Sequence, residues 1–139
     1  MQIGIDLGAS KIESVLLDKD GKEHFREREN SPNNYIETLV SIEKIVTNIE
    51  KKFNSNFNVG LGHPGSTNIK SGLLQNANNS PWMNNKLFQK DISKKLDRTV
   101  YCENDANCFA LSESVDGSAS QHKVVFGVIL GSGCGGGLV

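Results

Sequence analysis

Ile3, Ile5 and Leu7 alternate with Gly4 and Asp6, the period-two pattern of a strand with one buried face. Gly8-Ala9-Ser10 then turns the chain into a second apolar run containing Ile12, Val15, Leu16 and Leu17, and Asp20-Gly21 marks another turn. Residues 22–29 form a third strand, polar enough to belong at a sheet edge where charge discourages pairing with other chains, and Ser31-Pro32 ends it. From Tyr35 the rhythm changes. Ile36, Leu39, Val40, Ile42, Ile45, Val46, Ile49 and Phe53 recur every three or four residues, which predicts an amphipathic helix capped by Asn33 or Asn34. Residues 57–62 read as a strand broken by His63-Pro64-Gly65, residues 66–79 as a small hairpin, and residues 87–96 as a shorter helix. A strand at 100–103, a helix from Asn104 to about Val115, a polar linker after Asp116-Gly117 and an apolar strand at 124–130 complete the order. The later strand–helix–strand units need crossover helices and hence parallel pairing, so the predicted fold is α/β, a mixed five-stranded sheet with helices on both faces.

Three turns in this pattern carry candidate chemistry. In Asn104-Asp105-Ala106-Asn107, where a strand feeds a helix, two readings fit: a helix cap, since Asn and Asp oxygens satisfy the free amides of a first turn, or a site whose carboxylate is held still to meet a bound hydroxyl. Asp6-Leu7-Gly8-Ala9-Ser10-Lys11 is either an ordinary hairpin turn or a small-residue turn whose amides and Lys11 approach an anion while Asp6 approaches a cation. Gly131-Ser132-Gly133-Cys134-Gly135-Gly136-Gly137 has a glycine density that costs backbone entropy, which favours close approach of a ligand. It matches GxGxxG formally, but Leu138-Val139 resumes a strand-like pattern instead of opening the helix that a dinucleotide loop requires, so a glycine hairpin is expected.

Composition narrows the partner. The 139 residues amount to one domain's worth of chain, and the 15 basic and 16 acidic residues are mixed along it, for a net charge of −1. No basic stripe argues for nucleic acid, and no apolar run is long enough for a membrane span, so the expected partner is a small molecule. Cys102, Cys108 and Cys134 show neither a CxxC pair nor zinc-site spacing and read as free thiols. With no basic leader before Gln2, the expected location is cytoplasmic.

Taken together, certain segments resemble the ROK family of sugar kinases and repressors, within the actin-like ATPase (ribonuclease H-like) superfamily. They are Gly4-Ile5-Asp6-Leu7-Gly8-Ala9-Ser10-Lys11, Gly60-Leu61-Gly62-His63-Pro64-Gly65, Asn76-Ala77-Asn78, Asn104 to Glu113, and Gly127 to Gly137. The stretch from Asn76 to Asn84 is most similar to the fructokinase/mannokinase branch, with N-acetylglucosamine kinase close behind. The resemblance implies an N-terminal actin-like lobe at 1–118, followed at 119–139 by a linker, the first strand and the phosphate hairpin of a second lobe. It implies Asp105 as the general base for phosphoryl transfer from ATP to a hexose hydroxyl, with Gly65, Asn78 and Asn104 lining the sugar pocket. Asp6 would hold Mg²⁺. Gly4, Asp6, Gly8, Ala9, Ser10 and Lys11 would face the phosphates from one side, and Gly131, Ser132, Gly133, Cys134, Gly135, Gly136 and Gly137 from the other.

Three departures from the family pattern stand out. Ala9-Ser10 replaces Gly-Thr in the first turn, and the Ala9 methyl is expected to crowd the backbone there. His63 replaces an apolar residue of the Gly-x-Pro-Gly turn and is expected to pack or cap. The second lobe, which in the family holds the nucleoside pocket and a zinc site, is not in the sequence, so little turnover is expected from the chain alone. A dimer, or a C-terminal strand folded back on its own domain, is expected to cover the apolar 124–130 run. A sugar-sensing module is the alternative, and DNA binding is not expected because no helix-turn-helix precedes the first strand.

Overall fold

The computed structural model describes residues 1–131 and 133–139. Strands β1 (Gln2–Leu7), β2 (Lys11–Leu17) and β3 (Glu23–Asn30) form an antiparallel meander. Helix α1 (Tyr35–Phe53) carries the chain to β4 (Asn58–His63), parallel to β1. The short hairpin of β5 (Ser66–Thr67) and β6 (Leu74–Gln75), a 3-10 turn at Pro81–Met83 and α2 (Phe88–Lys95) lead to β7 (Val100–Asn104), parallel to β4. The five-stranded order is β3-β2-β1-β4-β7, mixed as expected. Helix α3 (Asp105–Val115) follows, then a separate antiparallel hairpin of β8 (Phe126–Leu130) and β9 (Cys134–Leu138).

One face of the sheet makes the core. Ile3, Ile5 and Leu7 of β1 align with Leu16, Ser14 and Ile12 of β2, and Val59 and Leu61 of β4 continue the row. Ile42, Val46 and Ile49 of α1 and Phe88 and Ile92 of α2 pack on it. Asn34 is the cap of α1, its side chain accepting from the Ile36 and Glu37 amides. The helix ends at Asn54 in the left-handed region, φ 49°, which Asn tolerates better than most residues. Arg98 and Glu50 then bind the foot of α1 to the chain entering β4: Glu50 accepts from the Phe57 amide at 3.0 Å and Arg98 donates to the Phe57 carbonyl at 3.1 Å.

The opposite face, with Gly4, Asp6, Glu13, Gly60 and Gly62, is covered only at its upper end. There a Cβ on Gly62 would lie 3.7 Å from Asp105 Cα, at the start of α3. The strand ends and the mouth of the cleft therefore share one edge of the molecule.

The hairpin β8–β9 takes up the second of the two arrangements expected for the 124–130 run: it folds back on its own chain. Val125 and Val139 exchange backbone hydrogen bonds at 2.8 and 3.0 Å, and Gly127 and Gly137 are buried against α3. Phe126, Val128, Leu130 and Leu138 remain exposed.

Candidate active site

The last residue of β7 and the first of α3 do most of the local work. Asn104 is the N-cap of α3, and its Oδ1 accepts from the Ala106 amide at 3.0 Å and the Asn107 amide at 3.2 Å. Its Nδ2 donates to the Gly65 carbonyl at 2.6 Å and to Asp105 Oδ1 at 3.0 Å. Asp105 Oδ1 also accepts from the Ala106 amide at 2.8 Å. One carboxylate oxygen is thus pinned by two donors, while Oδ2 has no protein donor among the described residues. Cap and site are the same turn.

Gly65 is the other half of this bracket. Its φ is +79°, and a Cβ there would stand 2.4 Å from the Gln75 carbonyl oxygen and 2.8 Å from the Ala77 amide. Only glycine fits both the left-handed backbone and the close packing of β6. His63, just before it, is 1% exposed, stacked edge-on against Phe88 with ring centroids 5.7 Å apart, and its Nδ1–H donates to the Pro64 carbonyl at 3.1 Å. Burial lowers its pKa below 6.5, against the opposing pull of that carbonyl, Glu103 and Asp105. The expected packing role is the observed one.

A cleft of about 1450 Å³ opens above these residues, lined on one side by Asp6 and Gly8 to Lys11, on another by Gly65, Asn78, Asn104 and Asp105, and on the third by the β8–β9 turn. In the first turn, Gly8 N–H is spent on the Lys11 carbonyl at 2.9 Å. The Ala9 and Ser10 amides donate no hydrogen bond among the described residues and stay available to an anion. Ala9 does not lie at positive φ, so the Gly-to-Ala departure adds no left-handed strain to the turn. Asp6 reaches solvent in the cleft, yet its pKa is raised above 3.8, first by partial burial of the carboxyl and then by Asp105 and Glu13. Such mutual repulsion is what a bound cation relieves.

Several expected ligand residues have a different reason to be there. Gly4 lies in the middle of β1 and does not line the cleft; a Cβ there would meet Val15 at 3.1 Å. Gly137 is buried, and its Cβ would sit 2.2 Å from the Ala106 carbonyl oxygen, while that of Gly135 would touch the Ala106 methyl at 3.4 Å. The glycine density expected to admit a ligand serves in good part to admit α3. Gly131, Gly133, Cys134, Gly135 and Gly136 do line the cleft. Gly133 abuts the loop after β6, where its Cβ would lie 2.8 Å from Asn79 Nδ2. Ser132 lies outside the described residues. Both hydrogens of Asn104 Nδ2 are engaged within the protein, so its first duty is to brace Asp105 and Gly65.

The cleft also contains residues that sequence reasoning missed: Glu13, Arg28, Glu103, Asn76 and Asn79. Asn76 and Asn79 lay within a motif stretch, but Glu13 and Arg28 are brought in by strand register alone. Cys102 lines the wall, and burial, with Cys108 nearby, pushes its thiol up to about 12, leaving it protonated and unreactive. No group of three metal-ligating side chains occurs among the described residues.

The family model described as ROK family matches residues 2–139. The chain is 41% identical to the N-acetyl-D-glucosamine kinases of Histophilus somni and of Haemophilus influenzae, over its whole length and 46% of theirs. It therefore spans about half the length of these curated relatives. Among solved structures, a ROK family glucokinase from Streptomyces griseus in complex with glucose and AMPPNP superposes with a TM-score of 0.88 at 25% identity, over 99% of this chain and 44% of that one. A ROK hexokinase from Thermus thermophilus gives a TM-score of 0.83 at 24% identity, over 99% and 46%, a likeness of fold.

Gly65→Ala is expected to destabilise the chain by about 1–3 kcal/mol in urea unfolding, from its left-handed backbone alone, and by more if the Gln75 contact does not relax. A midpoint equal to that of the wild type would show that the turn is not under this constraint. For His63 the folded pKa lies below the unfolded 6.5. The unfolded chain therefore binds more protons in that window, and stability falls as pH drops from 6.5 toward the folded value. His63→Leu is expected to lose that part of the acid slope, read as the difference between the urea midpoints at pH 7.5 and pH 5.5.

Proposed function

The chain belongs to the ROK family, and from that premise we propose that it forms the N-terminal lobe of an ATP-dependent sugar kinase, with Asp105 as its general base. The observation that carries this reading is the Asp105 carboxylate, held through Oδ1 by Asn104 and Ala106 and open at Oδ2 toward the cleft. In phosphoryl transfer the sugar hydroxyl oxygen bonds to the γ-phosphorus, the bond from that phosphorus to the β–γ bridging oxygen breaks, and ADP leaves. The hydroxyl proton passes to Asp105. Such a reaction asks mainly for alignment and charge neutralisation, so a rigid carboxylate that takes the proton late is sufficient.

Asp6 is the residue that would hold Mg²⁺, which neutralises phosphate charge when bound; the raised pKa of Asp6 among neighbouring carboxylates fits a cation position. The Ala9 and Ser10 amides and Lys11 would receive phosphate oxygens. Gly65 and Asn78 would border the sugar, and Asn104 would orient the base and offer hydroxyl contacts by exchanging its bond to Asp105. We assign residues 1–118 to the N-terminal lobe and 119–139 to the start of a second. The two lines of similarity name different sugars. The stretch from Asn76 to Asn84 resembles the fructokinase/mannokinase branch, whereas the curated relatives above are named N-acetyl-D-glucosamine kinase. Calorimetric titration with fructose, mannose, glucose and N-acetylglucosamine ranks them.

Asp105→Asn preserves the Oδ1 acceptor that Asn104 and Ala106 use, so fold and sugar affinity should survive. Sugar phosphorylation by the full-length gene product is expected to fall about 10²–10⁴-fold, the usual contribution of a positioned acid–base group. Unchanged turnover in a coupled ADP-release assay would remove Asp105 from the mechanism. Residues 1–139 alone are expected to give little turnover, because kinase chemistry needs a closed cleft that excludes water.

A further inference from the structure

Three residues on neighbouring strands form a charged row that no sequence motif marks. Asp6 of β1 is in register with Glu13 of β2, and Glu13 with Arg28 of β3. All three lie on the sheet face opposite the core, and all three line the same cleft as the Gly8 to Lys11 turn and Asp105. With strands about 4.8 Å apart, the row carries charge from the sheet edge to the catalytic end of β1 in two steps of roughly that length. We propose that Arg28 is a phosphate ligand of this cleft, aimed by Glu13, and that it binds the outer phosphates of a nucleoside triphosphate. This assignment rests on the sugar-kinase reading above.

The hydrogen bonds of the two edge arginines separate Arg28 from an ordinary surface charge. All three nitrogens of Arg26 are engaged: Nε and Nη2 donate to Glu23 at 2.8 and 2.6 Å, and Nη1 donates to Glu13. Arg28 is bound on one side only. Its Nε donates to Glu13 Oε2 at 2.6 Å and its Nη2 to the same oxygen, while Nη1 has no partner among the described residues. The side chain is 64% exposed, and Arg28 lines the cleft, which Arg26 does not. A guanidinium fixed along one edge and free along the other is preorganised for a phosphate, since less rotamer freedom is lost on binding.

Charge balance points the same way. Among the described lining residues the carboxylates of Asp6, Glu13, Glu103 and Asp105 face only two cations, Lys11 and Arg28. Lys11 Nζ donates one of its three hydrogens to Asn30 Oδ1 and keeps the others for an anion. A triphosphate entering so acidic a cleft needs every positive group on its side, and Arg28, with Nη1 unengaged among the described residues, is the second. Glu13 is in this view a positioning residue. It is held below the usual carboxylate range chiefly by the hydrogen bond from Arg28, and so stays ionised as the anchor of that side chain.

The test is an NMR titration of the ¹⁵N-labelled full-length gene product with Mg·ATP, Mg·ADP and AMP, following the Arg28 Nε–H signal and the amides of residues 8–11. Both sets are expected to shift. Arg28→Gln should weaken Mg·ATP binding about tenfold, Mg·ADP less and AMP not at all, with Arg28→Lys intermediate and Arg26→Gln within twofold of wild type. If the 8–11 amides respond while the Arg28 signal stays still and Arg28→Gln binds Mg·ATP as the wild type does, the Arg28 assignment is wrong and the kinase reading stands. An equal loss for AMP, or an equal loss in Arg26→Gln, would overturn it as non-specific charge. If no residue of the 8–11 turn responds to Mg·ATP in the wild type, the nucleotide reading fails and takes the Arg28 proposal with it.

Discussion

The side-chain amide of Asn104 is the joint on which the cleft depends. Its oxygen closes the first turn of α3 and its nitrogen reaches two different elements, the Gly65 carbonyl beyond β4 and the Asp105 carboxylate. A helix cap alone is worth about 1 kcal/mol. Here the same group also fixes where a carboxylate points and how far the Gly65 turn stands from it. That economy explains why the last residue of a strand can be polar and half-buried: every hydrogen-bonding position it has is used, so the desolvation of the amide is offset.

Close backbone approach is the second organising constraint, and glycine serves it twice in different ways. At Gly65 the need is conformational as well as steric, a left-handed φ with the Gln75 carbonyl in the space of a side chain. At Gly135 and Gly137 the backbone is not left-handed; the returning strand β9 lies against Ala106, and Gly137 has no room for a methyl. Gly135 and Gly137 of β9 against Ala106, and Gly127 of β8 against Ala110, are therefore complementary small surfaces that let a hairpin dock on a helix. Docking brings the β8–β9 turn over the cleft and sets Gly133 against Asn79, completing a wall that neither segment forms alone.

This is also where sequence and structure part company. Local patterns were legible: the period of α1, its Asn34 cap, the alternation of β1, and Asp105 at a strand-to-helix turn are all written within a few neighbouring residues. A run of glycines says that something comes close, but not whether it is a ligand or a helix, and Gly137 turned out to meet α3. Gly4 was drawn into the site by its motif although its neighbour is Val15 across the strand pair. Glu13 and Arg28 went unnoticed for the opposite reason: they are 15 positions apart and meet only through the register of β2 with β3. Cross-strand register is a non-local property, specified by the burial of Ile12, Ser14 and Leu16 on the far face rather than by the charged residues themselves.

The cleft shows how that far face governs chemistry on the near one. Because side chains alternate along a strand, burying Ile5 and Leu7 obliges Asp6 to face the opposite side, and burying Ile12 and Ser14 does the same to Glu13. Carboxylates are thereby forced together by the packing of apolar neighbours. The pKa of Asp6 is raised first by partial burial of its carboxyl, with repulsion from Asp105 and Glu13 adding to it and Arg28 opposing. A site strained in this way is least comfortable when empty of cations and gains most from one, whether guanidinium or metal. Hydrophobic alternation in the core thus sets the charge of the cleft on the other face.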